Sequence, residues 1–407
     1  MGKNSKIMTL IDLIFIVAFT VIFYTYIGYG ILLYFLVKIK KLFIPDLNHS
    51  DHVFFPNVTL IIPAYNEQDY IETKMKNTRT LNYPKDKLTI YWVTDGSNDQ
   101  SVELLKKYSD IRVFHKEERK GKINAINRVM PYVKTPITIF TDANALLSED
   151  SVLIITRKYN NPQVGCVSGE KRIIAKKTDK ASGSGEGFYW KYESFLKQLD
   201  NQLYSVVGAA GELFSIRTQL FEKIDSDTIL DDFVISLKIA QKGYKISYDP
   251  HAYAIEHASA STADEFKRKV RICAGGIQAI IKLKNLLNIF QYGILSFQYI
   301  SHRVLRWTLA PIFFVLLIPL SLFSILKYPD NQLYLLFFTL QSIFYFFSII
   351  GYHYKQQKLK FRFLFIPYYF LMMNTAAIFG MINYFNKKQT VIWEKVKRDE
   401  SHPLHET

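Results

Sequence analysis

Four long apolar runs near the two ends of the chain limit its fold more than any other sequence feature. The first extends from Met8 to Val37 and contains one charged residue, Asp12, and the others lie at about 307–326, 332–352 and 363–385. Each is long enough to cross a bilayer as a helix. A secretory signal has a shorter apolar core and a small-residue cleavage site, so the first run predicts a retained anchor.

Basic residues beside these runs predict their orientation. The segment 38–41 carries three lysines, against two lysines before the first run, and the loop 353–362 is also basic. Because basic loops stay in the cytosol, we expect both segments on the cytosolic side. The basic tail at 387–398 conflicts with three C-terminal crossings. Either the last run is re-entrant or the tail is an exception to the rule.

The charge and the cysteine content narrow the class of protein. The chain of 407 residues has 51 Lys and Arg against 36 Asp and Glu, a net charge of +15. This charge permits nucleic acid, an anionic membrane surface or a phosphorylated substrate as a partner, and the apolar runs favour the membrane over nucleic acid. Cys166 and Cys273 are each isolated, which excludes a disulfide framework and a cysteine-based metal site and fits a reducing cytosolic compartment.

The polar middle of the chain alternates short β-type runs with helical patterns. The β-type runs lie at 58–63, 88–93, 111–114, 137–140 and 164–168, and the helical patterns between them at about 69–80, 99–109, 121–133 and 149–159. This alternation predicts an α/β domain with a mainly parallel sheet covered by helices. Lys245–Pro250 is typical of an edge strand that ends at proline, and the glycine-rich stretch 183–187 predicts a loop.

The sequence thus predicts six successive segments. They are an N-terminal transmembrane anchor (1–41), a linker (42–57), a cytosolic domain (58–260), amphipathic interfacial helices (261–300), C-terminal transmembrane helices (301–386) and a basic tail (387–407).

Acidic and amide side chains follow three of the predicted strands. Asp142 and Asn144 come directly after the strand at 137–140, Asp95 follows 88–93, and Glu67 follows 58–63. The carboxyl ends of parallel strands meet at one edge of a sheet, where ligands bind. Such oxygens suit Mg²⁺ or Mn²⁺ and its phosphates. A helix cap explains any one of these residues equally well, but three in register favour a binding site.

Two lysines and two aspartates have a structural and a functional explanation. Lys120 and Lys122 lie in a basic turn that is either solvated or in contact with a diphosphate. Asp231 and Asp232 begin a predicted helix, where the dipole alone favours carboxylates.

Seven motifs in order carry a family resemblance. They are Pro63-Ala-Tyr-Asn-Glu67, Val93-Thr-Asp-Gly-Ser-Asn-Asp99, Gly121-Lys-Ile-Asn-Ala-Ile-Asn127, Thr141-Asp-Ala-Asn144, Gly208-Ala-Ala-Gly211, Leu230-Asp-Asp232 and Arg268-Lys-Val-Arg271. Over essentially its full length the chain resembles the membrane-embedded family 2 glycosyltransferases, which include cellulose, hyaluronan and poly-N-acetylglucosamine synthases. The resemblance implies a GT-A (nucleotide-diphospho-sugar transferase) domain inserted between transmembrane helices and a nucleotide-diphosphate sugar, normally a UDP-sugar, as donor.

The resemblance also implies roles for individual residues. Asp232 matches the general base, and Arg271 matches the arginine that faces the donor diphosphate. Asp142 and Asn144 match the metal motif for Mg²⁺ or Mn²⁺. The residues expected to bind substrate are Pro63, Tyr65, Glu67, Asp95, Lys122, Asp142, Gly211, Asp231 and Arg268.

Four positions depart from the family pattern. Thr94 and Asn144 replace aspartates, while Arg268 and Ile272 stand where the acceptor motif has glutamine and tryptophan. An amide at 144 still ligates a metal but supplies no charge. Ile272 cannot stack on an acceptor sugar, which weakens the case for a self-contained polymerase; Trp190, Tyr189 and Tyr192 are alternative stacking surfaces or core residues.

The expected function is an inverting, metal-dependent transferase of the bacterial cytoplasmic membrane, with its catalytic domain in the cytosol. Its acceptor is expected to be a growing cell-envelope or extracellular polysaccharide, with export or assembly subunits as further partners. Two alternatives stay open. One is a non-processive transferase that adds one sugar to a lipid-linked acceptor, and the other is a degenerate nucleotide-sugar-binding scaffold subunit.

Overall fold

A single eight-stranded sheet forms the centre of the polar domain in the part of the chain that the structure describes. The structure is a computed structural model and describes residues 10–43, 55–174, 181–257, 259, 261–354 and 365–388. The strands are β1 Val58–Ala64, β2 Leu88–Asp95, β3 Arg112–Lys116, β4 Ile137–Thr141, β5 Leu146–Leu147, β6 Val164–Ile174, β7 Leu213–Arg217 and β8 Lys245–His257.

The order of the strands is β3-β2-β1-β4-β7-β6-β8-β5. The pairs β1/β2, β1/β4, β2/β3 and β6/β8 are parallel, whereas β7 runs antiparallel to both β4 and β6, and β5 antiparallel to β8. The strands β1 and β4 are buried along their whole length, as expected for central strands covered on both faces. The carboxyl ends of β1, β2 and β4 meet at one edge, which confirms the predicted α/β class with a mostly parallel sheet.

Fifteen α-helices lie in the described residues. They are α1 Leu10–Phe23, α2 Tyr29–Phe43, α3 Gln68–Thr80, α4 Ser101–Leu105, α5 Lys122–Val129, α6 Ser151–Lys158, α7 Ala181–Leu203, α8 Asp231–Gln241, α9 Thr262–Lys282, α10 Ile289–Tyr292, α11 Ile294–Tyr299, α12 Leu305–Trp307, α13 Leu309–Lys327, α14 Gln332–His353 and α15 Phe365–Phe385. Two π-helical turns, Tyr24–Gly28 and Ile300–Val304, join α1 to α2 and α11 to α12.

Two local predictions from the sequence are wrong. The strand that begins at Lys245 does not end at Pro250 but continues to His257, because a register shift between Ser168 and Glu170 of β6 accommodates the proline. The glycine-rich stretch 183–187 lies within α7 rather than in a loop.

Four helical segments are long and apolar enough to span a membrane: Leu10–Phe43, Leu309–Lys327, Gln332–His353 and Phe365–Phe385. They correspond to the four apolar runs of the sequence. The two halves of the first span, Leu10–Phe43, contact different parts of the protein. Near its beginning, the buried Asp12 accepts hydrogen bonds from the hydroxyls of Tyr328 (3.0 Å) and Tyr334 (3.1 Å). Its second half packs on α7, where Lys40 donates to the carbonyl of Leu203 (2.8 Å).

Helix α9 connects the sheet domain to the last apolar helix. Its N-terminus is capped by Ser261, whose hydroxyl accepts from the amide of Asp264 (3.1 Å). Near its other end, Lys282 pairs with Asp225 and Asp227 of the sheet domain. One face of α9 packs closely against α15, where a Cβ added at Gly380 would lie 2.6 Å from the Cβ of Cys273.

Candidate active site

Six of the residues predicted from the sequence meet beside the carboxyl end of β4. They come from the turn after β4, the first turn of α5, the loop before β7, the first turn of α8 and the middle of α9, and they are Asp142, Lys122, Gly211, Asp231, Asp232 and Arg271. These positions are up to 149 residues apart in sequence (271 − 122), and the fold brings them into one cluster.

Lys122 is the cation at the centre of this cluster. Its ammonium donates to Oδ1 of Asp142 (2.5 Å) and lies 4.0 Å from Oδ2 of Asp231. Burial by itself lowers the pKa of Lys122, but the negative charges of Asp142, Asp231 and Asp232 outweigh burial and raise its pKa overall. Lys122 is therefore in contact with the carboxylates of the cluster and is not a solvated residue of a basic turn.

Asp232 has the most perturbed carboxyl group of the cluster. Burial, followed by the negative charges of Asp231 and Glu212, raises the pKa of Asp232 to about 7, although Lys122 opposes this shift. A carboxylate with a pKa near neutrality is well matched to accept a proton at physiological pH. Burial and the charges of Glu256 and Glu212 also raise the pKa of Asp142, against Lys122.

Gly211 is needed for space rather than for backbone freedom. A Cβ at this position would lie 3.1 Å from Oδ2 of Asp232 and 3.6 Å from the Lys122 ammonium. The loop is fixed at both sides, because the amide of Ala209 donates to Ser236 (3.0 Å) and that of Ala210 to Ser168 (3.2 Å). The missing side chain leaves the surface between the base candidate and the lysine open.

Arg271 projects into the cluster from α9. Burial lowers its pKa, while Asp231, Asp232 and Asp142 act in the opposite direction. Among the described residues, the Nε atom of Arg271 is buried without a hydrogen-bond partner. A buried guanidinium with a free donor is suited to an anionic ligand, since leaving that donor unpaired costs free energy.

Asp95 organises the neighbouring turn. Its carboxylate is buried and accepts hydrogen bonds from the backbone amides of Lys120 (3.1 Å) and Gly121 (2.6 Å), directly before Lys122. The guanidinium of Arg119 lies 3.6 Å from the centre of the Tyr65 ring. Asp95 therefore fixes the turn that presents Lys122.

The loops after β1 and β2 are tied together beside this turn. Asn66 has a positive φ of 54° and exchanges hydrogen bonds with Asn98, while the amide of Glu67 donates to Ser101 (3.0 Å). Pro63, by contrast, is buried inside β1, where it pairs with Val93. The predicted substrate residues Tyr65 and Glu67 thus lie in an ordered rim, and Pro63 lies beneath it.

Asp142 and Asn144 lie in the turn between β4 and β5, and both are partly exposed. The described residues contain no group of three or more His, Cys, Asp or Glu side chains able to hold a metal by themselves. A carboxylate and an amide oxygen nevertheless fit a divalent cation whose remaining ligands come from phosphate and water, because Mg²⁺ is usually held by one or two carboxylates plus substrate phosphates. The donor set fits a metal that arrives with a nucleotide diphosphate.

A buried network lies behind this turn. Lys171 pairs with Glu212 and with Glu256 (2.6 Å), and both partners are acidic groups that act on the pKa of Asp142. Arg268, predicted to bind substrate, forms a two-pronged salt bridge with Glu265 through its Nε and Nη2 atoms (2.9 Å each). In this structure Arg268 contributes to the packing of α9.

Lys74 is a contributor to the site that the sequence motifs did not reveal. It is fully buried in α3 and donates to Oγ1 of Thr141 (3.0 Å) and to the carbonyl of Ala145, one residue on each side of the Asp142–Asn144 turn. Burial lowers the pKa of Lys74 to about 7, against Asp142 and Glu256. Its role could have been suspected from the sequence, because Lys74 lies on the apolar face of α3 between Ile71 and Met75.

Two tryptophans contact residues next to the cluster. Trp190 is in contact with cations, 5.3 Å from the Lys269 ammonium. Trp307 of α12 packs edge-on against Phe233, the residue after Asp232, with ring centroids 5.2 Å apart. Trp307 was assigned to an apolar run from the sequence, so its closeness to the base candidate was missed.

Comparison with known proteins identifies the family of one part of the chain. Residues 59–225 match the sequence pattern of Glycosyl transferase family 2. Residues 59–225 are a family 2 glycosyltransferase domain. The family 2 match contains Asp95, Lys122 and Asp142 and ends before Asp232 and Arg271.

Relatives of the family 2 domain are polysaccharide synthases by name. The poly-beta-1,6-N-acetyl-D-glucosamine synthase of Staphylococcus aureus (strain MSSA476) is 26% identical over 250 residues, which are 58% of this chain and 58% of that protein. The enzyme of the same name from Staphylococcus epidermidis is 25% identical over 265 residues, 62% of each. The chain therefore matches about three fifths of the length of these relatives.

A solved structure supports the fold of the family 2 domain and its flanking helices. A mannosyltransferase from Pyrobaculum calidifontis, in complex with GDP-Man and Mn²⁺, superposes with a TM-score of 0.69 and 21% sequence identity, covering 93% of this chain and 100% of that chain. At this level of identity the similarity establishes the fold. The fold is GT-A, with candidate membrane-spanning helices on both sides of the catalytic domain.

Proposed function

We propose that this protein is a membrane-integrated inverting glycosyltransferase that uses a nucleotide-diphosphate sugar, with a UDP-sugar as the first donor to test. The observation that carries the proposal is the cluster in which Asp232, with its pKa raised to about 7, lies near the two cations Lys122 and Arg271. A proton acceptor and two diphosphate-binding cations in one site are what glycosyl transfer requires.

Asp232 is the base in this proposal. As the acceptor hydroxyl attacks the anomeric carbon, its proton passes to the Asp232 carboxylate and a new C–O bond forms. The bond between the anomeric carbon and the donor phosphate oxygen breaks, and its electron pair leaves with the nucleoside diphosphate. Attack from the face opposite the leaving group inverts the anomeric centre.

Lys122 and Arg271 stabilise the departing diphosphate. Both are buried cations that face Asp142 and Asp231, so the electrostatic interaction with a developing phosphate charge is stronger than in water. The free Nε of Arg271 supplies a hydrogen bond that the described protein groups do not use. Asp95 orients Lys122 through the turn at 120 and 121.

Asp142 and Asn144 are the residues proposed to hold Mg²⁺ or Mn²⁺ with the donor. A cation held there would neutralise charge on the diphosphate, which would otherwise meet the carboxylates of Asp142, Asp231 and Asp232. The Mn²⁺ in the mannosyltransferase complex supports a divalent ion without deciding which one this protein uses.

The acceptor is proposed to be a glycan in cell-envelope or extracellular polysaccharide assembly. Support comes from the names of the relatives and from the four candidate membrane spans. The three lysines in 38–41 favour the bacterial cytoplasmic membrane with the catalytic domain in the cytosol. Export or assembly subunits fit this location as further partners.

Release of nucleoside diphosphate tests the function. Purified protein is incubated with Mn²⁺ and each of a panel of nucleotide sugars, and the wild type is expected to turn over one of them. Asp232→Asn should reduce the rate by about 10²–10⁴-fold while leaving nucleotide affinity near normal, because only the proton acceptor is lost. Asp110→Asn, which removes an exposed carboxylate paired with Arg79, is the matched control and should retain full activity.

Two outcomes would redirect the proposal. Nucleotide binding with no turnover of any donor would indicate the scaffold subunit that Thr94, Asn144 and Ile272 otherwise suggest. Product length in membranes given labelled donor separates repeated transfer from addition of a single sugar, since only the former yields a ladder of products.

A further inference from the structure

The segment 224–230 lies between β7 and α8 and continues directly into Asp231 and Asp232. It is an irregular connection, yet Ile224 and Ile229 within it are buried. Backbone amides and carbonyls that are buried outside a helix or a strand need other hydrogen-bond partners. Two side-chain amides, one from α5 and one from α9, supply such partners to this segment.

Asn127 of α5 binds the beginning of the segment. Its side-chain NH₂ donates to the carbonyl of Ile224 (2.7 Å), and its side-chain oxygen accepts from the backbone amide of the same residue (3.1 Å). A carboxamide can make both bonds at once because it carries a donor and an acceptor. Lys122, one of the two cations of the active-site cluster, is the first residue of the same helix. Asn127 thus ties the segment to the helix that presents Lys122.

Gln278 of α9 binds the end of the segment. Its side-chain NH₂ donates to the carbonyl of Asp227 (2.8 Å), and its side-chain oxygen accepts from the backbone amide of Ile229 (2.9 Å). Arg271, the second cation of the cluster, lies seven residues earlier (278 − 271) on the same helix. At about 3.6 residues per turn, this spacing is close to two turns, so both side chains project from one face of α9. That face is therefore tied to the residues directly before the proposed base.

Two adjacent glycines allow α9 to pack closely on both sides. A Cβ added at Gly275 would lie 2.7 Å from Cγ of Leu230, and one added at Gly276 would lie 2.5 Å from the ring of Trp307. Apolar contacts of this kind limit how far the helix and the segment can separate, but they are not directional and resist sliding along the helix axis only weakly. Hydrogen bonds are directional, so those of Gln278 fix the register of α9 against the segment.

We propose that Asn127 and Gln278 are positioning residues for the proposed base, Asp232. Together they fix Asp232 relative to the two cations, Lys122 and Arg271. The segment is then a shared support, held to α5 at its beginning and to α9 at its end, and Asp232 follows two residues after it. This inference rests on the proposed glycosyl transfer, because it concerns the distances between the proton acceptor and the groups that stabilise the departing diphosphate.

Satisfaction of buried backbone groups is the competing explanation for both amides, and Gln298 of α11 is an example of it. Gln298 donates to the carbonyl of Asp200 (2.9 Å) and accepts from the backbone amide of Ser205 (3.4 Å). None of the six cluster residues lies on α7 or α11, whereas Asn127 and Gln278 each lie on a helix that carries a cluster cation. If stabilisation were their whole role, loss of Gln278 and loss of Gln298 would have the same consequence.

Steady-state kinetics and thermal unfolding of the purified full-length protein separate the two roles. Gln278→Met keeps a similar volume and removes both hydrogen bonds. It should lower kcat by about 10²-fold, the cost of a misplacement of about 1 Å at reacting groups. The KM for the donor should change less than kcat, because the interaction that is lost is one made in the transition state.

Gln298→Met is the matched control. Both substitutions leave buried backbone groups without a partner, so both should lower Tm. Only Gln278→Met should lower kcat when the assay temperature is well below the Tm of every variant. Equal losses of kcat in the two variants would overturn the proposal.

A double-mutant cycle identifies the group through which Gln278 acts. Arg271→Lys keeps the positive charge but replaces the planar guanidinium with a flexible ammonium, which can adjust to a small shift of the helix. In the Arg271→Lys background, Gln278→Met should therefore reduce kcat less than it does in the wild type, and the two effects should not be additive. The same loss of kcat in both backgrounds would refute a role through Arg271.

The pH profile is the corresponding readout for Asn127. The charge of Lys122 opposes the rise in the pKa of Asp232. Asn127→Leu frees the segment from α5, so Asp232 should move away from Lys122 and the rise of kcat/KM should occur at higher pH. A lower Tm with an unchanged pH profile would show that Asn127 only stabilises the fold.

Failure of this proposal can be told apart from failure of the proposed function. Donor turnover by the wild type, with kcat unchanged in Gln278→Met, would refute the positioning role and leave the function standing. A wild-type protein that turns over no nucleotide sugar would refute the proposed function, and the positioning role would fall with it.

Discussion

Charge balance around single residues would allow the proposed donor and the proposed base to share one site. The three carboxylates of Asp142, Asp231 and Asp232 face the two cations Lys122 and Arg271. Burial, followed by the negative charges of Asp231 and Glu212, raises the pKa of Asp232 to about 7.

The pH dependence of transfer should therefore report the pKa of Asp232. The base works only when ionised, so kcat/KM should rise tenfold per pH unit below about 7 and level off above it, instead of levelling off near the ordinary aspartate value. Asp231→Asn removes the adjacent negative charge, so the rise of kcat/KM should occur at lower pH. Lys122→Met removes the neighbouring positive charge, so the rise should occur at higher pH. A profile that is flat from pH 5 to pH 8 would contradict a raised pKa for the catalytic base.

Lys74 should affect metal use without contacting the metal. Its hydrogen bonds to Thr141 and Ala145 fix the turn that holds Asp142. In Lys74→Met we expect the Mn²⁺ concentration needed for half-maximal rate to rise by about 10–100-fold, the usual effect of removing a group that orients a metal ligand.

The matched control for Lys74 is Lys76→Met on the same helix. Lys76 is exposed and pairs only with Glu72 among the ion pairs of the described residues, so the metal titration should not change. An unchanged titration in Lys74→Met as well would mean that the turn keeps its shape without the lysine.

At the scale of elements, the loop before β7 packs closely against the first turn of α8. Gly208 has φ +88°, and a Cβ there would overlap the ring of Phe233 in the first turn of α8. Gly243 has a similar φ of +90°, but a Cβ there would meet nothing within 4 Å. Substitution of Gly243 thus tests backbone strain alone, whereas substitution of Gly208 tests backbone strain together with displacement of Phe233.

Alanine at these two positions should have different consequences. Gly243→Ala should cost about 1–2 kcal/mol of folding free energy from the left-handed backbone alone and leave kcat unchanged. Gly208→Ala should destabilise more and also lower kcat, because Phe233 and with it Asp232 must shift. Thermal unfolding and turnover of both variants provide the check, and equal loss of kcat in the two would contradict the steric explanation.

Regular elements were predictable from the sequence because their patterns are local. The strand ends at Asp95 and Asp142 follow short apolar runs, and parallel pairing brings such ends to one edge. The extension of β8 past Pro250 was not predictable, since it depends on a register shift in the partner strand β6. Lys74 was missed for a related reason, because its role depends on which distant groups pack against it.

At the scale of the whole molecule, contacts at the helix ends indicate which elements share a side of the membrane. Asp12, near the start of the first span, is bound by Tyr328 and Tyr334, so the connection between α13 and α14 lies at the end of the bundle away from the sheet domain. Helix α15 differs from α13 and α14. Near its start Tyr369 packs on Tyr189 of α7 (6.1 Å between centroids).

The other end of α15 also contacts the catalytic side. Phe379 packs on Phe266 (6.0 Å), and Gly380 approaches the backbone of α9 at Val270, while α9 itself is held to the sheet domain through Lys282. From contacts of this kind at both ends we predict that α15 lies along the catalytic side instead of crossing to the other. The conflict posed by the basic tail would then be resolved, because residues 387 and 388 would stay with the catalytic domain.

Cysteine labelling tests this topology. Cys166 and Cys273 are buried, so a single exposed cysteine added at Lys388→Cys or Asp330→Cys dominates the reaction with a membrane-impermeant maleimide. In inverted vesicles, where the cytosolic face is outside, we expect Lys388→Cys to be labelled and Asp330→Cys to be protected; intact spheroplasts should give the opposite result. If both cysteines were labelled in intact spheroplasts and protected in inverted vesicles, α15 would cross the membrane. The close packing of Gly380 on α9 would then require α9 itself to enter the bilayer.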